Sequence, residues 1–442
     1  MAEEVTRVLE VVLGGARQSG GVDLEAVEML VRGAMHRAGA ALLGQLLSEA
    51  APSAAHSPCA CGHRARYHDR RRRQLLTALG PVEFERGYYL CPHCHRGHSV
   101  RDRELGVDGR ACSPGVRRMM AVVGSETSFE QGREQLALLA GLEVTAKAVE
   151  RNAEAVGRDL EACQQTEIGR AKQLELPAVG VPPVPILYLE MDGTGVPVVK
   201  AETQGRAGKI EGQPAHTREV KLGCVFTQTG TDAEGRPVRQ QDSTSYVAAI
   251  ESAEPFGLRL YAEAWRRGWS RAKKKVVIGD GAVWIWNLAH QHFPGALQIV
   301  DLYHARQHLW ELSGQLFADD EAAGKHWLAV ALEQLDQGKI EALVKQLRDQ
   351  KPAHADIAKR VSNEADYFEH NAERMRYPAF RAQGLFVGSG VVEAACKTVI
   401  GARLKGSGMF WTVRGANAIL ALRCCRLSGR FEDYWAEHSR AA

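Results

Sequence analysis

Residues 185–195 read PILYLEMDGTG. The run from Ile186 to Met191, interrupted only by Glu190, has the length and apolar character of a buried strand. It ends on Asp192, and Gly193 and Gly195 behind it allow a substrate to approach the backbone closely. Alternation places Tyr188, Glu190 and Asp192 on one strand face, which makes Glu190 a rival carboxylate. Ligands of open α/β sheets meet the carboxyl ends of the strands, where Asp192 is expected. Asp-Gly is equally a common turn dipeptide, so this acid decides nothing alone.

Two further acids have related settings. Asp280 ends KVVIGD and precedes Gly281 and a helix-like segment; Glu393 follows the turn GSG in GSGVVEAACK. The three lie 88 and 113 residues apart, so only a folded domain brings them together. Hard divalent cations prefer oxygen ligands, and two such ions can clamp the attacking and leaving oxygens of a phosphoryl transfer. An Asp, Asp, Glu trio on an α/β scaffold is therefore a candidate two-metal nuclease or strand-transfer site. The plainer readings are a tight turn at Asp280, and at Glu393 a helix-dipole acid paired with Lys397. In QIVDLYHARQHLW, Asp301 ends a strand, His304 follows three residues on and His308 one turn later. Asp301 is alternatively an N-cap. The residues between the histidines lack the glutamate of a zincin, which excludes a metalloprotease.

The order of elements points to a fold. Strands are expected at PILYLEM, REVKLGCVFTQTG and STSYVAAI, a helix at PFGLRLYAEAWRRGW, strand KKVVIG, helix VWIWNLAHQHF, strand LQIV and a helix from Leu302. Three strands, helix, strand, helix, strand, helix is the order of an α/β RNase H-like core with a mixed sheet. Its first part is expected over 184–311. An all-α insertion over 312–385 follows, clearest at Leu328–Leu343 and Ser362–Arg376, and closing helices over 386–442 carry Glu393. Arg403 and Lys405 lie about three turns beyond Glu393 if its helix continues.

Upstream, LPAVGVPPVP reads as a stiff linker and domain boundary. Residues 1–50 read as a helical region suited to packing or self-association. Residues 54–100 are short-stranded and Cys/His-rich, with a hairpin through LLTALGPVEFERGYYL. Residues 101–175 return to helix. Ser128 opens a capping box with Gln131, and Thr145 can cap the next helix. Helix, glycine turn and helix outline a helix-turn-helix, although any αα-hairpin gives the same pattern.

The chain is 442 residues long, 45% hydrophobic and 25% charged, which suits two or three globular domains. No apolar run approaches the roughly 20 residues needed to span a bilayer. The acidic start MAEEVTRVLE is unlike a secretory signal, so no membrane partner and a cytoplasmic location are expected. Net charge is only +3, but residues 51–120 carry 13 Arg and no Lys against 6 acids. That stretch includes Arg70, Arg71, Arg72 and Arg73, a patch able to neutralise phosphates or simply to face solvent. Of ten cysteines, Cys59, Cys61, Cys91 and Cys94 form two close pairs that suit a structural zinc in a small zinc-ribbon-like module. His63, His93, His95 and His98 are alternative ligands. The remaining six cysteines read as core thiols.

Several blocks together, LYLEMDGTGVPVVK, VVIGDGAVWIWNLAHQHFPGALQIVDLYHARQHLWEL and GLFVGSGVVEAACKTVIGARLKGSGMFWTVRGANAILALR, resemble the ISKra family of bacterial insertion-sequence transposases. The resemblance covers nearly the whole chain. It implies a DDE transposase with an RNase H-like core, acting by two-metal phosphoryl transfer with two Mg²⁺ on Asp192, Asp280 and Glu393. Asp301-Leu-Tyr-His304 matches a Cys-or-Asp-x-x-His motif of related families, with His304 orienting the scissile phosphate or a water. Arg403 and Lys405 would grip the phosphate backbone. The zinc module, Arg70 to Arg73 and the helices near 128–165 would bind double-stranded DNA at the terminal inverted repeats. Target DNA and a homodimer or higher oligomer follow as partners. The alternatives are an RNase H-like nuclease that cannot join ends, and a non-catalytic transposase-derived DNA-binding protein.

Overall fold

A computed structural model describes residues 6, 10, 23–48, 54–173, 183–208 and 215–440. Most of residues 1–22 and of the expected linker lie outside the described residues. The chain divides into two compact units, residues 1–155 with 431–442, and residues 156–430.

In the first unit, α1 (Leu24–Leu47) is capped by Asp23, whose carboxylate accepts the Ala26 N–H at 3.2 Å. Strands β1 (His56–Pro58), β2 (Arg64–Thr77), β3 (Gly80–Leu90) and β4 (Gly97–His98) form one antiparallel sheet in sequence order. The expected hairpin is β2–β3, closed by the Thr77–Gly80 pair, with Gly80 at φ +97°, a value that favours glycine. Leu75, Phe84 and Val107 form one small core beneath it. Then come α2 (Val100–Glu104), α3 (Pro114–Glu126), α4 (Phe129–Gln135) and α5 (Ala146–Lys172), whose residues from Val156 on belong to the second unit. The capping box is present, with the Gln131 N–H donating to Ser128 Oγ. Thr145 Oγ1 accepts the Ala148 N–H at 3.1 Å, as its position before α5 requires. Between them α4 loosens into a π-turn, Leu136–Ala140, and stops at Gly141 with φ +65°.

The second unit is built on a mixed sheet. Its strands are β5 (Ile186–Pro197), β6 (Thr217–Thr231), β7 (Pro237–Arg239), β8 (Ser245–Ala249), β9 (Lys274–Gly279) and β10 (Leu297–Val300). The order is β10-β9-β5-β6-β7, with β8 also paired to β6. β5, β6 and β8 run antiparallel; β9 lies parallel to β5 and β10 parallel to β9. Helix α6 (Ala253–Arg266) makes the crossover from β8 to β9, and α7 (Val283–His292) that from β9 to β10. Parallel neighbours require such crossovers, and fully buried Val276, Val277 and Ile278 show why β9 reads as a continuous apolar run.

After β10 the chain is helical: α8 (Leu302–Leu316), α9 (Glu321–Asp336), α10 (Ile340–Arg348), α11 (Ala355–His370) and α12 (Tyr377–Ala382). The helix expected over Leu328–Leu343 is two helices, broken at Gly338 with φ +67°. The piece expected over Ser362–Arg376 starts earlier, at Ala355, and gives way to a 3₁₀ turn over Ala372–Met375. Helix α13 (Gly390–Ala395) carries Glu393 and runs through a π-turn, Cys396–Gly401, to Leu404. Helix α14 (Val413–Leu427) ends the second unit, and α15 (Phe431–Arg440) belongs to the first.

One core runs through the second unit, from Leu187 and Leu189 on β5 to Leu335 and Phe368 in the helical stretch. Among the described residues no helix is long and apolar enough to cross a membrane.

Candidate functional site

Asp192 lies within β5, not at its end. The strand continues through GTGVP because β6 pairs with it along its whole length, from Ile186↔Gln228 to Pro197↔Thr217. On the other side the pairing with β9 stops at Glu190↔Ile278. Extending that parallel register by two residues sets Asp280 level with Asp192, on chains that neighbour one another in the sheet. Adjacent strands lie about 4.8 Å apart, so the two carboxylates feel each other. Burial raises the Asp192 pKa, and the Asp280 charge adds to the rise; hydrogen bonds from Cys396 and the Gly193 N–H oppose it. The Cys396 thiol donates to Asp192 Oδ2 at 3.2 Å, and the Gly193 N–H donates to Oδ1 at 2.6 Å.

Asp280 is the first residue beyond β9, and its Oδ1 accepts the Ala282 N–H at 2.8 Å before α7 begins. Its carbonyl accepts the Tyr367 hydroxyl at 2.9 Å. Gly281 is at φ +98°, and a Cβ there would come within 2.5 Å of the Tyr367 ring. Backbone conformation and space both demand glycine.

Glu393 is exposed in the first turn of α13. Two buried acids hold that turn. Glu190, fully buried, accepts the Val392 N–H at 2.8 Å. Asp301, 1% exposed, accepts the Ser389 N–H at 3.0 Å and the Ser389 hydroxyl through Oδ2. Through Oδ1 it accepts the Tyr303 N–H at 2.6 Å, capping α8. Both Asp301 oxygens are thus engaged by the protein, and the N-cap reading of this residue is the one its geometry supports. Burial, foremost, pushes the Glu190 pKa to about 8, with the Asp301 and Glu393 charges adding to it. Glu190 is therefore an internal acid, not a solvent-facing competitor of Asp192.

His304 and His308 face each other, Nε2 to Nε2, at 3.2 Å. Lys405 donates to Thr194 Oγ1 at 2.6 Å, two residues beyond Asp192 on β5. Arg403 departs from the expectation of a phosphate contact. It is 1% exposed, with its guanidinium 4.9 Å over the Trp411 ring, because α13 turns this side chain inward after the π-turn. Cys396, expected to be an inert core thiol, instead touches Asp192. The i, i+3 spacing from Glu393 was the available signal that the two share a helix face.

The cysteine cluster belongs to the first unit. The Sγ atoms of Cys59, Cys61, Cys91 and Cys94 all lie within 4.8 Å of one another. Cys59–Cys94 and Cys61–Cys91 are each separated by 3.6 Å, far longer than the roughly 2.05 Å of a disulfide. With a Zn–S bond of about 2.3 Å a tetrahedron has S–S edges of about 3.8 Å, so the four thiols fit that ion. Cys61, His63 and His93 form an overlapping group within the same limit. Backbone N–H donors, chiefly that of Cys94, pull the Cys91 thiol down to about 6. Among the described residues these are the two groups of three or more metal-type ligands that close to 4.8 Å. Asp192, Asp280 and Glu393 do not close so far.

The four arginines of β2 differ in role. Arg70 pairs with Glu85 at 3.0 Å, Arg71 with Asp69 at 3.0 Å, and Arg72 with Glu83 at 3.4 Å, all on the surface. Arg73 turns inward to buried Asp102, which Arg86 also holds at 2.9 Å.

A family model described as "Uncharacterised protein family (UPF0236)" matches residues 17–437. No curated protein matches the chain. Among solved structures, the Drosophila P element transposase strand transfer complex is similar at 8% identity and a TM-score of 0.25, over 77% of this chain and 84% of that one. A likeness that weak fixes neither fold nor function.

Proposed function

This chain belongs to the uncharacterised protein family UPF0236, and we propose that it is a DDE-type DNA transposase of the ISKra kind. The observation that carries the reading is the nearness of Asp192 and Asp280, two residues beyond the last paired residues of parallel strands β5 and β9, with the Asp192 pKa driven up by burial and by the Asp280 charge. Two like charges held together in a half-buried site are what a hard divalent cation relieves. The sheet order β10-β9-β5-β6, with β7 and β8 both paired to β6, and with antiparallel β5, β6 and β8 and two parallel crossovers, supports an RNase H-like core. The sequence blocks that resemble ISKra transposases carry the same acids in the same order.

In this reading Asp192, Asp280 and Glu393 would hold two Mg²⁺. Ions held by these carboxylates would supply activation of an attacking oxygen, of water or of a freed 3′-hydroxyl, and charge neutralisation at the leaving oxygen. Glu393 would complete the set from α13, whose first turn Glu190 and Asp301 fix. Lys405, beside Thr194, would neutralise a backbone phosphate as the strand crosses β5. His304 would orient the scissile phosphate or a water, while Asp301 acts through its hold on Ser389 and α8. The Cys59, Cys61, Cys91, Cys94 set would hold one Zn²⁺, and that module with Arg70, Arg71 and Arg72 would bind the terminal repeats of double-stranded DNA.

Incubating the full chain with Mg²⁺, a labelled element end and target DNA tests the proposal. Nicking followed by joining, both lost in Asp280→Ala, is expected. Nicking without joining would favour an RNase H-like nuclease, and neither activity a DNA-binding protein.

A further inference from the structure

Glu364 lies on α11, in the helical stretch between β10 and Glu393, and its side chain is nearly buried. Its Oε2 stands 2.6 Å from His308 Nδ1, and His308 Nε2 stands 3.2 Å from His304 Nε2. The His308 ring stacks on Tyr367, centroids 4.3 Å apart and planes within 5°, and the Tyr367 hydroxyl holds the Asp280 carbonyl. Glu364 and Tyr367 are three residues apart, hence neighbours on one helical face. One face of α11 thus grips both the histidine pair and the backbone of Asp280.

The hydrogen-bond inventory limits where the protons can sit, and the assignment that follows takes both histidines as neutral. A carboxylate only accepts, so His308 carries its proton on Nδ1 and donates it to Glu364. With His308 neutral, its Nε2 is an acceptor and His304 must donate from Nε2. His304 is then left with an unprotonated Nδ1. Arg360 lies 3.8 Å from Glu364 Oε1 and is itself paired with Glu311 at 2.8 Å.

We propose that Glu364 is a positioning residue that acts through His308 to fix the tautomer and ring orientation of His304, so that the helical insertion helps set up the acidic site. Tyr367 does the same for Asp280 from the next turn. The kinetic consequence rests on the transposase reading; the tautomer does not.

The experiment therefore has two arms on the full chain. Two-bond ¹H–¹⁵N spectra of ¹⁵N-histidine-labelled protein report the imidazole tautomers of wild type, Glu364→Gln and Glu364→Leu. We expect the His304 and His308 nitrogens to show the assigned tautomers in wild type and in Glu364→Gln, whose amide oxygen still accepts the Nδ1 proton, and to lose them in Glu364→Leu. Unchanged spectra in Glu364→Leu would overturn the proposal. In the Mg²⁺-dependent nicking assay, outer-shell losses of this kind cost about 10–100-fold. Glu364→Leu should lose that much kcat with KM for the DNA end unchanged, and Glu364→Gln should recover part of it. A loss confined to KM would contradict a positioning role. A wild-type chain that does not nick would sink the transposase reading and leave the spectra to decide this inference.

Discussion

Glu190 Oε2 accepts the Val392 N–H at 2.8 Å, joining the strand that carries Asp192 to the helix that carries Glu393 across 202 residues of chain. Its Oε1 is buried with no hydrogen-bond partner, which suits a protonated acid better than a carboxylate.

That state makes stability depend on pH. The ordinary glutamate value is 4.5, and burial raises Glu190 to about 8 in the folded chain. The unfolded chain therefore releases this proton first, and the stability Glu190 permits is full below about 4.5 and lost as pH rises through about 8. The span corresponds to a few kcal/mol as an order of magnitude. Urea unfolding between pH 5 and 9 should show this decline, and Glu190→Gln should flatten it. A decline of the same size in Glu190→Gln would assign it to other groups.

Arg73 and Arg72 should separate cleanly. Truncating Arg73 leaves Asp102, 4% exposed, with Arg86 alone, and removing one partner of a buried charge network costs about 3–5 kcal/mol at most. Truncating Arg72, a surface side chain, should change stability by no more than about 0.5 kcal/mol. On the DNA-binding reading Arg72→Ala should weaken repeat binding and reduce its salt slope by about 1. Denaturation curves and a salt titration of binding measure both.

The cysteine cluster predicts one tightly held zinc per chain. Metal analysis of Cys91→Ser should show its loss, and a strong chelator should lower the thermal midpoint of the wild type, because a small sheet with little core leans on its metal. A chelator-insensitive midpoint with no bound zinc would mean four unmetallated thiols.

Gly281→Ala forces a side chain into φ +98° and against Tyr367. Strain of this kind costs about 1–3 kcal/mol before the clash is counted. The melting curve should shift down accordingly, with nicking reduced further because Asp280 is the preceding residue. An unshifted melt would show that the loop adapts.

Much of the second unit was legible because its strands are buried on both faces and its helices are amphipathic. PILYLEM, REVKLGCVFTQTG, STSYVAAI, KKVVIG and LQIV all fall on strands, and VWIWNLAHQHF on α7. The misread end of β5 has a local cause. GTGVP looks like a turn by composition, but β6 supplies a partner for every residue of it, and pairing overrides propensity. The inward turn of Arg403 and Arg73 was hidden because arginine patterns carry no burial signal until their partners, Trp411 and Asp102, are placed. Glu364 and Tyr367 were illegible for a similar reason. Their contacts to His308 and Asp280 span 56 and 87 residues, and no motif marks them.

Anomalous scattering from Mn²⁺ in crystals of the full chain bound to an element-end DNA would locate the ions that Asp192, Asp280 and Glu393 are proposed to hold. Ion density in contact with the Asp192 and Asp280 carboxylates, with Glu393 closing on it from α13, is expected. Density away from both aspartates, or none beside a bound scissile phosphate, would contradict it.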